Sequence, residues 1–227
     1  MPINSEADHR IVSDAVAAAE AHTSGEIVTV LAEKSDRYDD IALLWAIAAS
    51  FTAMSALALF PQFFLGKIDW LFEQLGYWHH EWTTAQIVTL TLTLGLLKFV
   101  GVWAIQLWDP LKFFLIPPPL KTFRVHEHAI RHFKVGAERR THGRTGVLIY
   151  VSLKEHRAEI VADEPIAEKV SADVWGEAMA DMLGHIKQGQ LAEGIAAGVR
   201  DVGVVLAEHF PRDTDDTNEL PDRLIVL

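Results

Sequence analysis

The sequence contains no cysteine, which excludes disulfides, thiolate nucleophiles and cysteine-ligated metals and leaves the redox compartment open. It also lacks a surplus of positive charge. Lys and Arg number 20 against 31 Asp and Glu, for a formal net charge of -11 at pH 7. That balance argues against a nucleic-acid partner, because phosphate binding wants clustered Lys and Arg. There is no G-x-S-x-G elbow, no P-loop and no dinucleotide fingerprint, so none of the common hydrolase or nucleotide motifs announces a reaction.

Charge is also missing from two long stretches. Residues 41–60, IALLWAIAASFTAMSALALF, carry no charged side chain; at about 1.5 Å of rise per residue they span a hydrocarbon core of about 30 Å. Residues 85–107, AQIVTLTLTLGLLKFVGVWAIQL, are interrupted only by Lys98. The pair predicts a transmembrane hairpin, with the lipid bilayer as first partner. Its depth in the chain, after polar sequence, excludes a signal peptide. Ala42, Ala46 and Ser50, and again Ala49 and Ala53, have the spacing that lets helices approach closely, with Thr91 and Gly95 opposite them. The same small residues allow association with a second copy. In the connecting loop, 61–84, Trp70, Tyr77, Trp78 and Trp82 suit the headgroup layer. Lys34 and Arg37 before the hairpin and Lys112, Lys121 and Arg124 after it outweigh the loop's Lys67, which predicts both termini in the cytoplasm. Pro110 and the prolines at 117–119 end the second span in a stiff exit.

The flanking sequence reads as soluble. Ile11, Ala15, Val16 and Ala19 predict a helix within 4–23, capped by Asn4 or Ser5, and Thr23-Ser24-Gly25 breaks it before a buried strand at 26–31. After the hairpin, a helix at 125–138 turns Ala129, Ile130 and Phe133 inward, and a joint at 141–146 follows. Strands at 147–151 and 157–162 are separated so briefly that they must pair antiparallel. Helices at 172–187 and 191–209 meet at Gln188-Gly189, and an acidic, turn-rich tail from Pro211 is expected to be loosely ordered. The organisation is therefore 1–40 and 125–210 as two parts of one discontinuous domain, 41–124 as the hairpin with its proline-rich exit, and 211–227 as the tail. An even number of spans keeps both parts of the domain on one side of the membrane.

Three segments carry a family resemblance: EAHTSGEIVTVL at 20–31, GRTGVLIYVSLKEHRAEIVADEPIAEKV at 143–170 and NELPDRLI at 218–225. In this order they resemble the TPM domain, a module shared by plant photosystem-repair proteins and many bacterial membrane proteins. The resemblance implies an α/β fold, a TPM-like central β-sheet flanked by helices and here interrupted by a two-helix transmembrane hairpin inserted after the first strand. It further implies a multi-pass protein of the bacterial inner membrane.

Asp36, Asp39 and Asp40, with Glu33, are the candidate metal ligands, since calcium or another divalent cation takes several carboxylate oxygens. The resemblance to calcium-binding TPM domains supports them; the spacing is not that of an EF-hand, and the plainer reading is a solvated collar with aspartates capping the next helix. Asp163 and Glu164 form a second acidic set, which falls at the opposite end of the sheet from Asp36 if the first two strands are parallel; its plainer role is a turn and helix cap before Pro165. His128 and His132 have a spacing that can bind zinc, or they are ordinary helix surface. Lys98 either has a partner inside the membrane or snorkels to its edge. No catalytic residue can be named and no organic cofactor is called for. The resemblance implies a membrane-anchored accessory protein that binds or stabilises other membrane proteins, with a divalent cation involved. Its alternative is a metal-assisted acid phosphatase acting on phosphomonoesters, which without cysteine is left with a carboxylate and metal mechanism.

Overall fold

Strand Glu26–Ala32 (β1) and strand Gly146–Ser152 (β2) are buried along their whole length, the pattern of parallel strands covered on both faces. They pair in parallel, Glu26 opposite Gly146 and Ala32 opposite Ser152. The structure is a computed structural model that describes residues 6–76, 81–136, 145–213 and 218–227. It divides into two units, residues 1–36 with 118–227 and residues 37–117.

In the first unit, Arg157–Ala162 (β3) runs antiparallel to β2, as their short connection requires. His156 makes the return possible with a left-handed φ of 53°. On the other side of β1 lies Ile225–Val226 (β4), parallel to it, so the sheet order is β3-β2-β1-β4. Alternation then divides the side chains between two layers. Ile27, Leu31, Val147, Ile149 and Val151 pack with Val12 and Val16 of Glu6–Glu20 (α1), Met182 of Ala172–Lys187 (α8) and Ile195, Val199, Val202 and Leu206 of Leu191–His209 (α9). Val28, Val30, Ala32, Leu148 and Tyr150 face Val125, Ala129 and Phe133 of Pro118–Gly136 (α6). The short helix Glu164–Lys169 (α7) adds Ile166 to the first layer.

Two sequence expectations are corrected here. Helix α6 begins at Pro118 rather than near 125, because prolines in a first helical turn forfeit only N–H groups that have no intrahelical acceptor. The tail expected to be loose instead supplies β4, with Leu220 and Leu224 buried; Leu227 N–H donates to Leu31 O at 2.9 Å and Glu33 N–H to Leu227 O at 3.1 Å. The joint at 141–146 falls mostly outside the described residues.

The second unit contains Asp39–Leu59 (α2), Pro61–Gln74 (α3), Thr84–Ile105 (α4) and Asp109–Leu115 (α5). Helices α2 and α4 are long and apolar enough to cross a membrane. They run antiparallel, joined where Ser50 Oγ donates to Gly95 O at 2.8 Å and where the buried Gln106 Nε2 donates to Ala42 O at 3.0 Å. A Cβ at Gly95 would stand 2.5 Å from Met54 Sδ, so the Met54 side chain fills the space that the glycine leaves. Thr91 spends its hydroxyl on Ile87 O of its own helix. Thr83 and Gln86 form a reciprocal capping box at the start of α4. Much of the connecting loop is helical, as α3, and Trp82 Nε1 donates to Asp69 Oδ1 at 2.9 Å; Tyr77 and Trp78 lie outside the described residues.

Candidate functional site

Beyond the carboxyl ends of β1 and β2, where α/β sheets commonly place ligands, the side chains form a closed polar set. Ser35 Oγ donates to Ser152 Oγ at 2.9 Å and lies 3.1 Å from Tyr150 OH. Ser152 Oγ in turn donates to Glu155 Oε2 at 2.6 Å, and Glu155 Oε1 accepts the Ser35 N–H at 3.0 Å. All four residues are buried, so this set fixes the chain leaving β1 and presents no reactive group to solvent.

Three of the four predicted metal ligands are paired with cations. In the first unit Asp36 pairs with Arg124 at 3.4 Å and Glu33 with Lys154 at 2.9 Å. In the second, Asp39 pairs with Arg37 and with Lys112, each at 3.2 Å, and Asp40 sits beside it in the first turn of α2. The cap residue of that helix is Tyr38, at φ 53°, rather than an aspartate. Among the described residues, no three His, Asp or Glu are grouped as ligands for a metal ion.

The second acidic set does lie at the other end of the sheet. Asp163 accepts the Gly146 N–H at 2.9 Å through Oδ2, so its carboxylate holds the start of β2 and gives α7 no side-chain cap. His128 and His132 have ring centroids 6.3 Å apart, and His132 stacks on Tyr150 at 5.9 Å. Burial, and then the charges of His128 and Arg131, hold the His132 imidazole below its ordinary pKa. Lys98 is exposed on α4.

The sequence reading missed a further cluster beside the amino end of β1. A cleft of about 120 Å³ is lined by Ala17, Glu20, Ala21, Glu26, Arg212, Asn218 and Asp222. Glu20 ends α1, is buried, and accepts the Ile27 N–H at 2.8 Å. Glu26 begins β1, and its two oxygens accept the N–H groups of Glu219 and Leu220, each at 3.2 Å. Asn218 Nδ2 donates to Asp222 Oδ1 at 2.6 Å and reaches Glu20 Oε2 at 3.5 Å. Burial is the main reason that the Glu20 pKa is pushed up to about 8 from 4.5, with Glu26 and Asp222 adding to it and the Ile27 N–H opposing it. Glu20 is therefore neutral at pH 7 and can keep a proton among the three carboxyls. The signal for this cluster was Glu20 and Glu26 flanking a turn, together with the ending NELPD; all three stand in the segments that carried the family resemblance.

Residues 121–205 match the family model described as the TPM domain. A comparison with curated proteins finds no match. Among solved structures, the NMR structure of the BA42 protein from the psychrophilic bacterium Bizionia argentinensis is similar, with a TM-score of 0.56 at 19% identity over 100% of this chain and 97% of that one. At that identity the likeness is one of fold. A four-stranded sheet flanked by helices matches a TPM-like α/β fold, and residues 121–205 are the stretch that resembles the TPM domain.

Proposed function

We propose that this protein is a membrane-anchored accessory factor, held in the bacterial inner membrane by α2 and α4 with both termini in the cytoplasm, whose TPM domain binds or stabilises another membrane protein. The observation that carries the reading is the outward face of the paired helices. Leu43, Leu44, Phe51, Leu92, Leu96 and Leu97 are all exposed on them, and apolar surface of this length is stabilised by lipid. The accessory role draws on what the buried acids do. Glu20, Glu26, Glu155 and Asp163 each accept backbone N–H groups, a task of holding the fold.

A sodium carbonate wash of membranes tests the anchor: the full chain stays in the pellet, and release into the supernatant overturns the reading. A reporter fused after Leu227 that is active only when exported tests the orientation, and export of that reporter sinks it. Crosslinking in intact membranes, followed by purification, should capture the chain with one recurrent membrane protein. The phosphatase alternative wins instead if the purified chain turns over a phosphomonoester in the presence of calcium or magnesium. Cation dependence has its own test. Calcium that displaces Arg124 from Asp36 raises the melting temperature, and Asp36→Asn removes that rise.

A further inference from the structure

Helix α3 begins where the first span ends, with Phe60 alone between them. Phe60 serves both helices: its N–H donates to Ala56 O of α2 at 3.0 Å, and its O accepts the Phe63 N–H at 3.2 Å. Pro61, at the first position of α3, has no N–H with which to continue α2, so the chain turns there. Further along, α3 is tied back to the second span. Asp69 Oδ1 accepts the Trp82 Nε1–H at 2.9 Å, and Trp82 comes just before Thr84, the first residue of α4. Because α2 and α4 run antiparallel, the end of one and the start of the other mark the same level. Phe60 and Asp69 thus hold α3 to the level where both spans meet their edge.

Helical periodicity sorts the side chains of α3 into three stripes. Phe64, Leu65 and Ile68 form the more buried one. Gln62, Asp69 and Glu73 make a polar stripe. The third holds Phe63, Trp70 and Leu71, which are 57%, 62% and 51% exposed, together with Lys67. These four residues and Gly66 line a groove of about 480 Å³. Two rings and a leucine left open beside a separate polar stripe are unfavourable in water, and the same pattern is stable when the helix lies in the plane of a bilayer surface. Lys67 fits that placement. Its Nζ stands 4.7 Å from the Phe63 ring centroid, and its long stem lets the ammonium stay at the polar level while the rings go deeper. We propose that α3 is an interfacial helix whose face of Phe63, Trp70 and Leu71 is embedded in the headgroup layer of the leaflet at which α2 ends. Lipid is the occupant that connectivity selects, since a face that begins so close to the end of a span meets the leaflet before any soluble partner. The inference rests on the membrane reading above and adds to it a third contact with the bilayer.

A chain without cysteine takes a single spin label wherever one cysteine is placed. The full chain carrying Gln62→Cys, Phe63→Cys, Trp70→Cys or Glu73→Cys is labelled with a nitroxide and reconstituted in vesicles of phosphatidylcholine and phosphatidylglycerol, with Leu96→Cys in α4 as the reference for the span. Electron paramagnetic resonance then compares collisions with oxygen, which concentrates in the bilayer, and with a water-soluble nickel chelate. The labels replacing Phe63 and Trp70 are expected about 5–10 Å below the headgroup surface, those replacing Gln62 and Glu73 in water, and the one replacing Leu96 deeper than all of them. Adding Phe63→Asp should move the Trp70 label outward to the chelate and leave the Leu96 label where it was. Equal depth at the four α3 positions, or a Trp70 label indifferent to Phe63→Asp, overturns the interfacial helix. If the Leu96 label stays deep in that case, the anchor stands without it. A Leu96 label that meets the chelate freely removes the membrane reading, and the proposal falls with it. Spin–spin broadening at Trp70 that vanishes on dilution with unlabelled chain would put a second copy on this face and overturn the lipid assignment.

Discussion

Glu26 and Leu220 are 194 residues apart in sequence, yet Glu26 Oε2 accepts the Leu220 N–H at 3.2 Å. The first residue of β1 thereby docks the segment that returns as β4. A carboxylate shared by two backbone N–H groups forms charge-assisted bonds, each stronger than a neutral one.

Glu26→Ala is therefore expected to destabilise the first unit by about 2–4 kcal/mol, because it leaves two N–H groups without their acceptor. The effect should be local first. Amide exchange at Leu227, whose N–H is bonded to Leu31 O, should quicken well before that of Ile149 in the central β2. Uniform quickening, or none, would count against docking by Glu26.

Glu20 supplies a pH dependence of defined sign. Below pH 4.5 its carboxyl is protonated whether the chain is folded or not; between 4.5 and about 8 the unfolded chain releases the proton and the folded one keeps it. Stability from this residue is thus greatest at low pH and is lost as pH rises through that window, by about 1 kcal/mol per pH unit. Glu20→Gln copies the neutral form and retains an oxygen for the Ile27 N–H. Its melting temperature should match the unaltered protein near pH 4.5 and exceed it at pH 9; equal pH profiles for the two chains would contradict the assignment.

Thr29 offers a contrasting case. Its Oγ1 is buried in β1 and has no hydrogen-bond partner among the described residues. It occupies a position in line with Ile27 and Leu31, which face the larger apolar layer. Thr29→Val removes the unmet hydroxyl at nearly the same shape and should stabilise by about 1 kcal/mol, read as a higher denaturation midpoint with an unchanged slope. A fall in the midpoint would show that the hydroxyl is in use.

What the sequence could show follows from the range of the interactions. β1 and β2 were legible as apolar runs rich in β-branched residues, β3 was legible by its alternation of polar and apolar residues, and the antiparallel return was legible because so few residues join β2 to β3. The tail was not, because β4 is two residues long and its apolar content makes sense only beside Val30 and Leu31. Glu20 and Glu26 escaped notice as a site for the same reason, since Asn218 and Asp222 meet them across almost the whole chain. Asp36 and Asp39 show the converse limit: a carboxylate has the same appearance in sequence whether its partner is a metal ion or the side chain of Arg124, Arg37 or Lys112.

The packing of α1 on α9 leads to the last expectation. A Cβ added at Gly203 would stand 2.6 Å from Ala19 Cβ and 3.3 Å from Ala19 Cα. The obstacle includes backbone, so no rotamer change relieves it and α1 must move. Gly184, in α8, has nothing within 4 Å of the same added atom. The substitution to alanine should therefore have opposite signs at the two sites. Gly184→Ala gains about 0.5–1 kcal/mol from helix propensity, whereas Gly203→Ala loses about 1–3 kcal/mol to overpacking despite the same propensity gain. Thermal melts of the two variants against the unaltered chain decide the matter: a stabilising Gly203→Ala would mean that α1 is free to shift, and with it Glu20 at its end.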